Sequence, residues 1–249
     1  MRGHYLITGA SSGIGEALAR YAADKNLRVS VIARRSDRLA HLHERYPNIH
    51  PETADISQKK LVADAIDRAV SVQGPVDYAV LNAGIYQPVD SSSFDSTVFD
   101  THMKVNYSGV LYCLEALIPS MVERKSGHIA LMGSTAGYRG LPRSGAYGPT
   151  KAALQNLAEC LYFDLYRHNI KIQIINPGFV HTEATAINDF DMPDIVTAET
   201  AAAEIFSQMK TARFEIAFPL RFVLKMKLLG LLPILTYLKF VARKTGYLG

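Results

Sequence analysis

Tyr147 and Lys151 stand four residues apart in the stretch 144–160, Ser-Gly-Ala-Tyr-Gly-Pro-Thr-Lys-Ala-Ala-Leu-Gln-Asn-Leu-Ala-Glu-Cys. Small residues, then Pro149, then strong helix formers with apolar periodicity predict the opening of a helix. On such a helix the two side chains share one face, one turn apart. A phenol beside an ammonium is a proton donor with a lowered pKa, because the positive charge favours the phenolate. A half-buried tyrosine beside a solvated lysine has the same spacing, so the pair takes its role from what surrounds it.

A second chemical feature stands near the start of the chain. The apolar run 5–8 leads into Gly9-Ala10-Ser11-Ser12-Gly13-Ile14-Gly15, and a helical pattern follows over 16–25. Strand, glycine-rich turn and helix make a phosphate cradle. Glycine permits the tight turn and the close approach of a pyrophosphate, and the helix N-terminus offers free N–H groups. The spacing is G-x-x-x-G-x-G. Residues 28–33 read as a second strand, which ends without an acid and is followed by Arg34 and Arg35. In dinucleotide folds an acid near this place holds the ribose hydroxyls of NAD, whereas an arginine accommodates the extra phosphate of NADP. The arginines favour NADPH, with two solvated guanidiniums at a strand edge as the plainer alternative.

The elements that must position these groups alternate along the chain. Helical patterns cover 37–46 and 58–72, and a strand at 48–53 ends near Ala54-Asp55-Ile56. A buried strand at 77–81 opens into Asn82-Ala83-Gly84, small residues of the kind found where an open α/β sheet admits its ligand; a plain β-turn has the same composition. The long helical pattern 99–122 contains Asn106, which needs partners in apolar surroundings. It either satisfies backbone groups or orders a water near the site. Residues 127–132 form the fifth strand and leave Ser134 at its carboxyl end.

A further strand at 171–175 ends in Asn176-Pro177-Gly178-Phe179-Val180-His181-Thr182. Residues 185–196, with acids and Pro193, read as a mobile loop or lid. A helix over 197–210 has Thr197 as its N-cap, with Thr200 and Glu204 on one face, and 214–218 is the last strand. Without internal repeat or flexible linker, this alternation predicts one α/β domain over 1–218, followed by an extension over 219–249.

With 249 residues, 48% apolar and 20% charged, the chain can bury a full core. The net charge of +4 is uneven. From residue 213 onward the cations are Arg213, Arg221, Lys225, Lys227, Lys239, Arg243 and Lys244, against Glu215 as the single acid. A nucleic-acid partner would call for a basic stripe across the folded body instead, so none is expected. Cys113 and Cys160 lie in apolar helical segments and read as buried thiols in a reducing compartment, not as a disulfide or a metal site. The start runs directly into a strand without a signal-peptide core, which predicts a cytoplasmic protein.

As a set, in this order and spacing, Thr8-Gly9-Ala10-Ser11-Ser12-Gly13-Ile14-Gly15, Asn82-Ala83-Gly84, Ser134 and Tyr147-Gly-Pro-Thr-Lys151 resemble the short-chain dehydrogenase/reductase family from about residue 3 to about residue 218. The resemblance implies a single doubly wound Rossmann-type domain with a seven-stranded parallel sheet. It implies that Tyr147 exchanges a proton with the substrate oxygen, that Lys151 lowers the Tyr147 pKa and binds the nicotinamide ribose, and that Ser134 hydrogen-bonds the carbonyl. Asn106 matches the position that holds a relay water. On the cofactor, Asp55 and the adjoining Ile56 would meet the adenine, and Asn82, Ala83 and Gly84 would pack near the adenosine. Pro177, Gly178, Val180 and Thr182 match the segment that clasps the nicotinamide. Arg34 stands where NADP-preferring members carry a basic residue. Many of those members also have one before the second glycine; here Ser12 stands there, so Arg34 with Arg35 must carry the phosphate.

The function so implied is NADP(H)-dependent reduction of a ketone or aldehyde, or oxidation of the alcohol, in a homodimer or homotetramer. A catalytically idle NADP-binding regulator is the alternative, and the retained Ser134, Tyr147, Lys151 and Asn106 argue against it. Beyond residue 218, 222–227 and 234–242 read as two short amphipathic helices around Gly230 and Pro233. The uncharged run 228–238 is too short to span a bilayer. Its basic flanks suit a helix lying on an anionic membrane surface; packing over the substrate pocket or against a partner subunit is the other reading. Extension and lid together favour an apolar substrate.

Overall fold

The computed structural model describes residues 3–248. Strand β1 (His4–Thr8) is buried along its whole length, as a strand covered on both faces must be. From it the chain alternates through α1 (Gly13–Ala23), β2 (Arg28–Ala33), α2 (Ser36–Arg45), β3 (Ile49–Thr53), α3 (Lys59–Gln73), β4 (Tyr78–Leu81), α4 (Ser96–Met103), α5 (Gly109–Arg124), β5 (Gly127–Met132), α6 (Gly148–Tyr166) and β6 (Ile170–Pro177). There follow β7 (Val180–His181), β8 (Val196–Thr197), α7 (Ala198–Met209), β9 (Glu215–Phe218), α8 (Leu220–Gly230) and α9 (Ile234–Lys244).

Seven strands form one sheet in the order β3-β2-β1-β4-β5-β6-β9, and every pairing in it is parallel. Parallel neighbours need helical crossovers, and these cover both faces. Apolar side chains of α1, α2 and α7 pack on one side, those of α3, α5 and α6 on the other. The fold is thus the doubly wound α/β sandwich expected. Chain order reverses between β1 and β4, which opens a crevice at the carboxyl ends of the central strands.

Three local features differ from the sequence reading. The helix expected over 99–122 is continuous but widens into a π-turn at Lys104–Ser108, and Asn106 sits in that turn. A π-turn inserts one extra residue and re-aims the side chains beside it. Cys113 is buried as expected, but Cys160 is exposed. Its helical position turns it outward from the face that carries Leu154, Ala158 and Leu165. The two helices of the extension are each 11 residues long, and α8 runs beyond both ends of the 222–227 pattern. Thr197 caps α7 as expected, its Oγ1 accepting from the Thr200 N–H at 3.1 Å.

Candidate active site

The carboxyl end of β5 and the start of α6 bring the chemical residues together. Ser134 caps the short turn Thr135–Gly137, its Oγ accepting from the Ala136 N–H at 3.1 Å. Tyr147 immediately precedes α6, with Pro149 in the first turn. Lys151, only 3% exposed, donates from Nζ to the Met132 carbonyl at 2.7 Å and lies 5.4 Å from the Tyr147 ring centroid. Burial lowers the Lys151 pKa to about 8. The Tyr147 phenol, expected to be lowered, is instead pushed up to about 12 by burial, with Ser134 hydrogen bonding pulling it partly back. The physical reason is that Lys151 directs its charge to a carbonyl at the sheet end, so desolvation of the phenolate dominates. Tyr86, which the sequence reading missed, stands edge-on to the Tyr147 ring at 5.1 Å.

Asn106 has both backbone and side-chain partners. Its Oδ1 accepts from the Ile85 N–H at 2.7 Å, and its Nδ2 donates to the Ile85 carbonyl at 3.0 Å and to Thr150 Oγ1 at 3.2 Å. Fully buried, it clamps the chain after β4 to the first turn of α6. A Cβ on Gly84 would stand 3.2 Å from Asn106 Oδ1, so the clamp closes tightly on that strand end.

The glycine-rich turn leaves no room for a side chain at Gly9 or Gly15. Gly9 has φ +70° and a Cβ there would meet Ala83 Cα at 2.7 Å; one on Gly15 would meet the Gly9 carbonyl at 2.4 Å. Asn82 staples the turn, donating from Nδ2 to the Thr8 carbonyl at 3.0 Å and the Gly9 carbonyl at 3.3 Å. Ser12 precedes α1 in extended conformation without a side-chain cap bond, which leaves the first-turn N–H groups to an external acceptor. That geometry fits a dinucleotide pyrophosphate.

Arg35 turns back onto this loop. It donates from Nε to Ser11 Oγ at 3.0 Å, from Nη2 to Ser12 Oγ at 2.6 Å and from Nη1 to Glu183 at 2.8 Å. The guanidinium thereby brings positive charge to Ser12, where the motif has none of its own. Arg34 is exposed at the strand end. At Asp55 burial raises the carboxyl, but hydrogen bonds from Ser57 and the Arg34 and Lys104 charges hold it below the usual carboxylate range. On the opposite side Thr182 approaches Gly13, and the Gly178 N–H donates to the Phe218 carbonyl at 2.7 Å.

One cavity of about 1130 Å³ joins these parts. Ser11, Ser12, Gly13, Ile14, Arg34, Arg35, Asp55, Ile56, Ala83 and Gly84 line it, as do Ser134, Tyr147, Lys151, Pro177, Gly178, Val180 and Thr182. Gly15 and Asn106 lie behind the wall. The remaining walls include Phe179, then Asn188, Asp189 and Phe190 from the region read as a lid, and Phe222, Met226, Lys244 and Tyr247 of the extension, which thus packs along the pocket; Leu141, Pro142 and Arg143 carried no signal in the sequence. Tyr86 OH donates to Asn188 Oδ1 at 2.9 Å, and Arg143 pairs with both Asp189 oxygens at 2.7 and 3.0 Å. These contacts tie the segment after Thr182 to the opposite rim. No sequence signal marks such partners, because each pair is 46 or more residues apart.

The family model for short chain dehydrogenases matches residues 4–191. An uncharacterized oxidoreductase of Myxococcus xanthus is 31% identical over 232 residues, 92% of each chain. A dehydrogenase/reductase SDR family protein 7-like of Drosophila melanogaster is 33% identical over 186 residues, 72% of this chain and 57% of that protein. In fold, a serine dehydrogenase in its closed form with NADP+ superposes with TM-score 0.82 at 24% identity, covering 88% of this chain and 95% of the other. A short-chain dehydrogenase/reductase from Burkholderia phymatum in complex with NAD gives 0.83 at 22%, covering 91% and 92%. The chain belongs to the short-chain dehydrogenase/reductase family of nicotinamide-dinucleotide oxidoreductases. Among the described residues no cluster of three or more His, Cys, Asp or Glu could hold a metal, and no helix is long and apolar enough to cross a membrane.

Proposed function

We propose that the protein is an NADPH-dependent carbonyl reductase, acting on a ketone or aldehyde with an apolar body, or on the matching alcohol in reverse. The observation that carries this reading is the convergence of the Tyr147 phenol, the Ser134 hydroxyl and the buried Lys151 on the cavity floor. A nicotinamide dinucleotide held by the glycine turn and Lys151 would supply the hydride for the carbonyl carbon. Tyr147 gives its proton to the developing alkoxide, which a phenol with a raised pKa still holds at neutral pH. Ser134 donates to the same oxygen and fixes its place. Lys151, held at the Met132 carbonyl, would bind the nicotinamide ribose. Asn106 keeps the floor in register through the Ile85 peptide.

The preference for NADPH rests on Arg34 and Arg35 at the end of β2, where no acid stands to hold a ribose. The apolar substrate rests on Tyr86, Phe179, Phe190, Phe222 and Met226 in the walls. Exposed Tyr162, Phe163 and Tyr166 on α6 make an aromatic patch suited to pairing of subunits, in a homodimer or homotetramer. The test follows nicotinamide absorbance with NADPH and NADH against carbonyls graded in apolar size. Faster consumption of NADPH, rising with apolar size, is expected. Tight NADPH binding with no turnover in either direction would favour an idle regulator, and a preference for small charged sugars would remove the apolar assignment.

A further inference from the structure

The extension after Phe218 presents two faces of different character. Its inner face is docked: Phe222, Val223, Met226 and Tyr237 are buried. Arg139 donates to the Gly230 carbonyl at 2.5 Å and lies 4.5 Å from the Tyr237 ring centroid, while Tyr237 OH donates to the Gly140 carbonyl at 2.9 Å. The outer face is apolar and uncovered. Leu220, Leu224 and Leu228 recur every four residues and form one stripe along α8, each at least half exposed. The series continues through Leu231, Ile234, Leu235 and Leu238, with Leu231 81% exposed. Scattered exposed leucines need no explanation, but a series of this length marks a contact surface.

Charge identifies what it contacts. No Asp or Glu follows Glu215, while Arg221, Lys225, Lys227, Lys239, Arg243 and Lys244 do. Lys227 pairs with Glu215, and Lys225 approaches Asp194 at 3.6 Å. Among the described residues Arg221, Lys239 and Arg243 make no ion pair, while Lys244 lines the cavity. At the angular step of an α-helix, Arg221 and Lys225 flank the α8 leucine stripe on one side and Lys227 on the other. We infer that the outer face of α8 and α9 rests on an anionic lipid bilayer, with the leucines in the acyl boundary and the cations at the headgroup phosphates. Helices of 11 residues lie on such a surface and do not cross it. A second copy of the chain fits worse, since a two-fold contact would set these cations against one another without counter-charges.

The test is flotation of the full chain with vesicles of phosphatidylcholine alone and of an equal mixture with phosphatidylglycerol. Binding to the mixed vesicles only, weakened by added salt, is expected. A Leu228→Asp/Leu235→Asp variant alters two exposed side chains, so its melting temperature stays unchanged while vesicle affinity falls by about tenfold or more. Phe163→Asp, on the α6 patch, leaves flotation as it is. Failure to float with either vesicle, equal binding to both, or undiminished binding of the double variant overturns the inference. So does a mass, by light scattering, that the double substitution halves while the unaltered chain ignores vesicles; a second copy would then be the occupant. NADPH turnover on a water-soluble carbonyl, measured in parallel without vesicles, reports on the reductase reading separately.

Discussion

On the floor of the cavity, Asn82, Asn106 and Lys151 are each held by backbone groups near the carboxyl ends of buried strands, whereas the walls meet through side chains. Lys151 bonds the last carbonyl of β5, and Asn106 brackets both polar groups of Ile85. Across the rim, Arg143 meets Asp189 and Tyr86 meets Asn188, with Arg143 and Asp189 exposed. A buried polar group without its partner is costly, so the floor has one arrangement. Exposed ion pairs contribute little and break easily, so the walls can part and reclose. The groups to which the proposed reading gives the chemistry are thus locked, while those that would choose and admit a substrate are adjustable.

The largest expected effect lies on the floor. Tyr147→Phe removes the transferable proton and lowers kcat by about 10²- to 10⁴-fold, with NADPH affinity, read by fluorescence titration, unchanged. Turnover that survives this change would break the assignment of the floor as the reactive region. Asn106→Ala, which strands both polar groups of Ile85, costs about 2–4 kcal/mol in urea unfolding. Asp189→Asn in the wall leaves the urea midpoint where it was. Equal losses from the two would erase the distinction.

A pH series sharpens it further. Lys151 has its folded pKa lowered to about 8 from 10.5, so between those values the unfolded chain binds more protons and stability rises with pH. Relative to Lys151→Met, the unaltered chain is therefore expected to gain about 2 kcal/mol between pH 8 and 10, measured by denaturant unfolding. No gain would mean that Lys151 is solvated. The smallest effect belongs to the rim: Arg143→Ala raises KM for a bulky apolar carbonyl on the order of threefold and leaves kcat for a small aldehyde intact. A large fall in kcat would place the rim among the locked parts.

Much of this architecture is legible along the chain because local rules write it there. Apolar runs bounded by glycine or polar turns mark β1, β2, β4 and β5, and amphipathic periodicity marks α1, α3 and α7. Gly9 and Gly15 announce a turn that admits no side chain, and Tyr147 and Lys151 announce a shared helix face. The π-turn at Asn106 escapes such reading, and so does the partner of that side chain, Ile85, 21 residues away. The direction of the Tyr147 pKa escapes it too. Spacing reveals a neighbouring cation but not the depth of burial or the carbonyl that engages that cation.

The sequence by itself thus determined the alternation of strands and helices, the glycine turn and the order of the chemical residues, because these depend on neighbours within a few positions. Tertiary structure alone decided which side chains wall the cavity, that Arg35 folds back onto Ser11 and Ser12, and that α8 turns Phe222 inward and its leucine stripe outward. Those outcomes depend on partners brought together only when the sheet has closed its two helical layers around a single crevice.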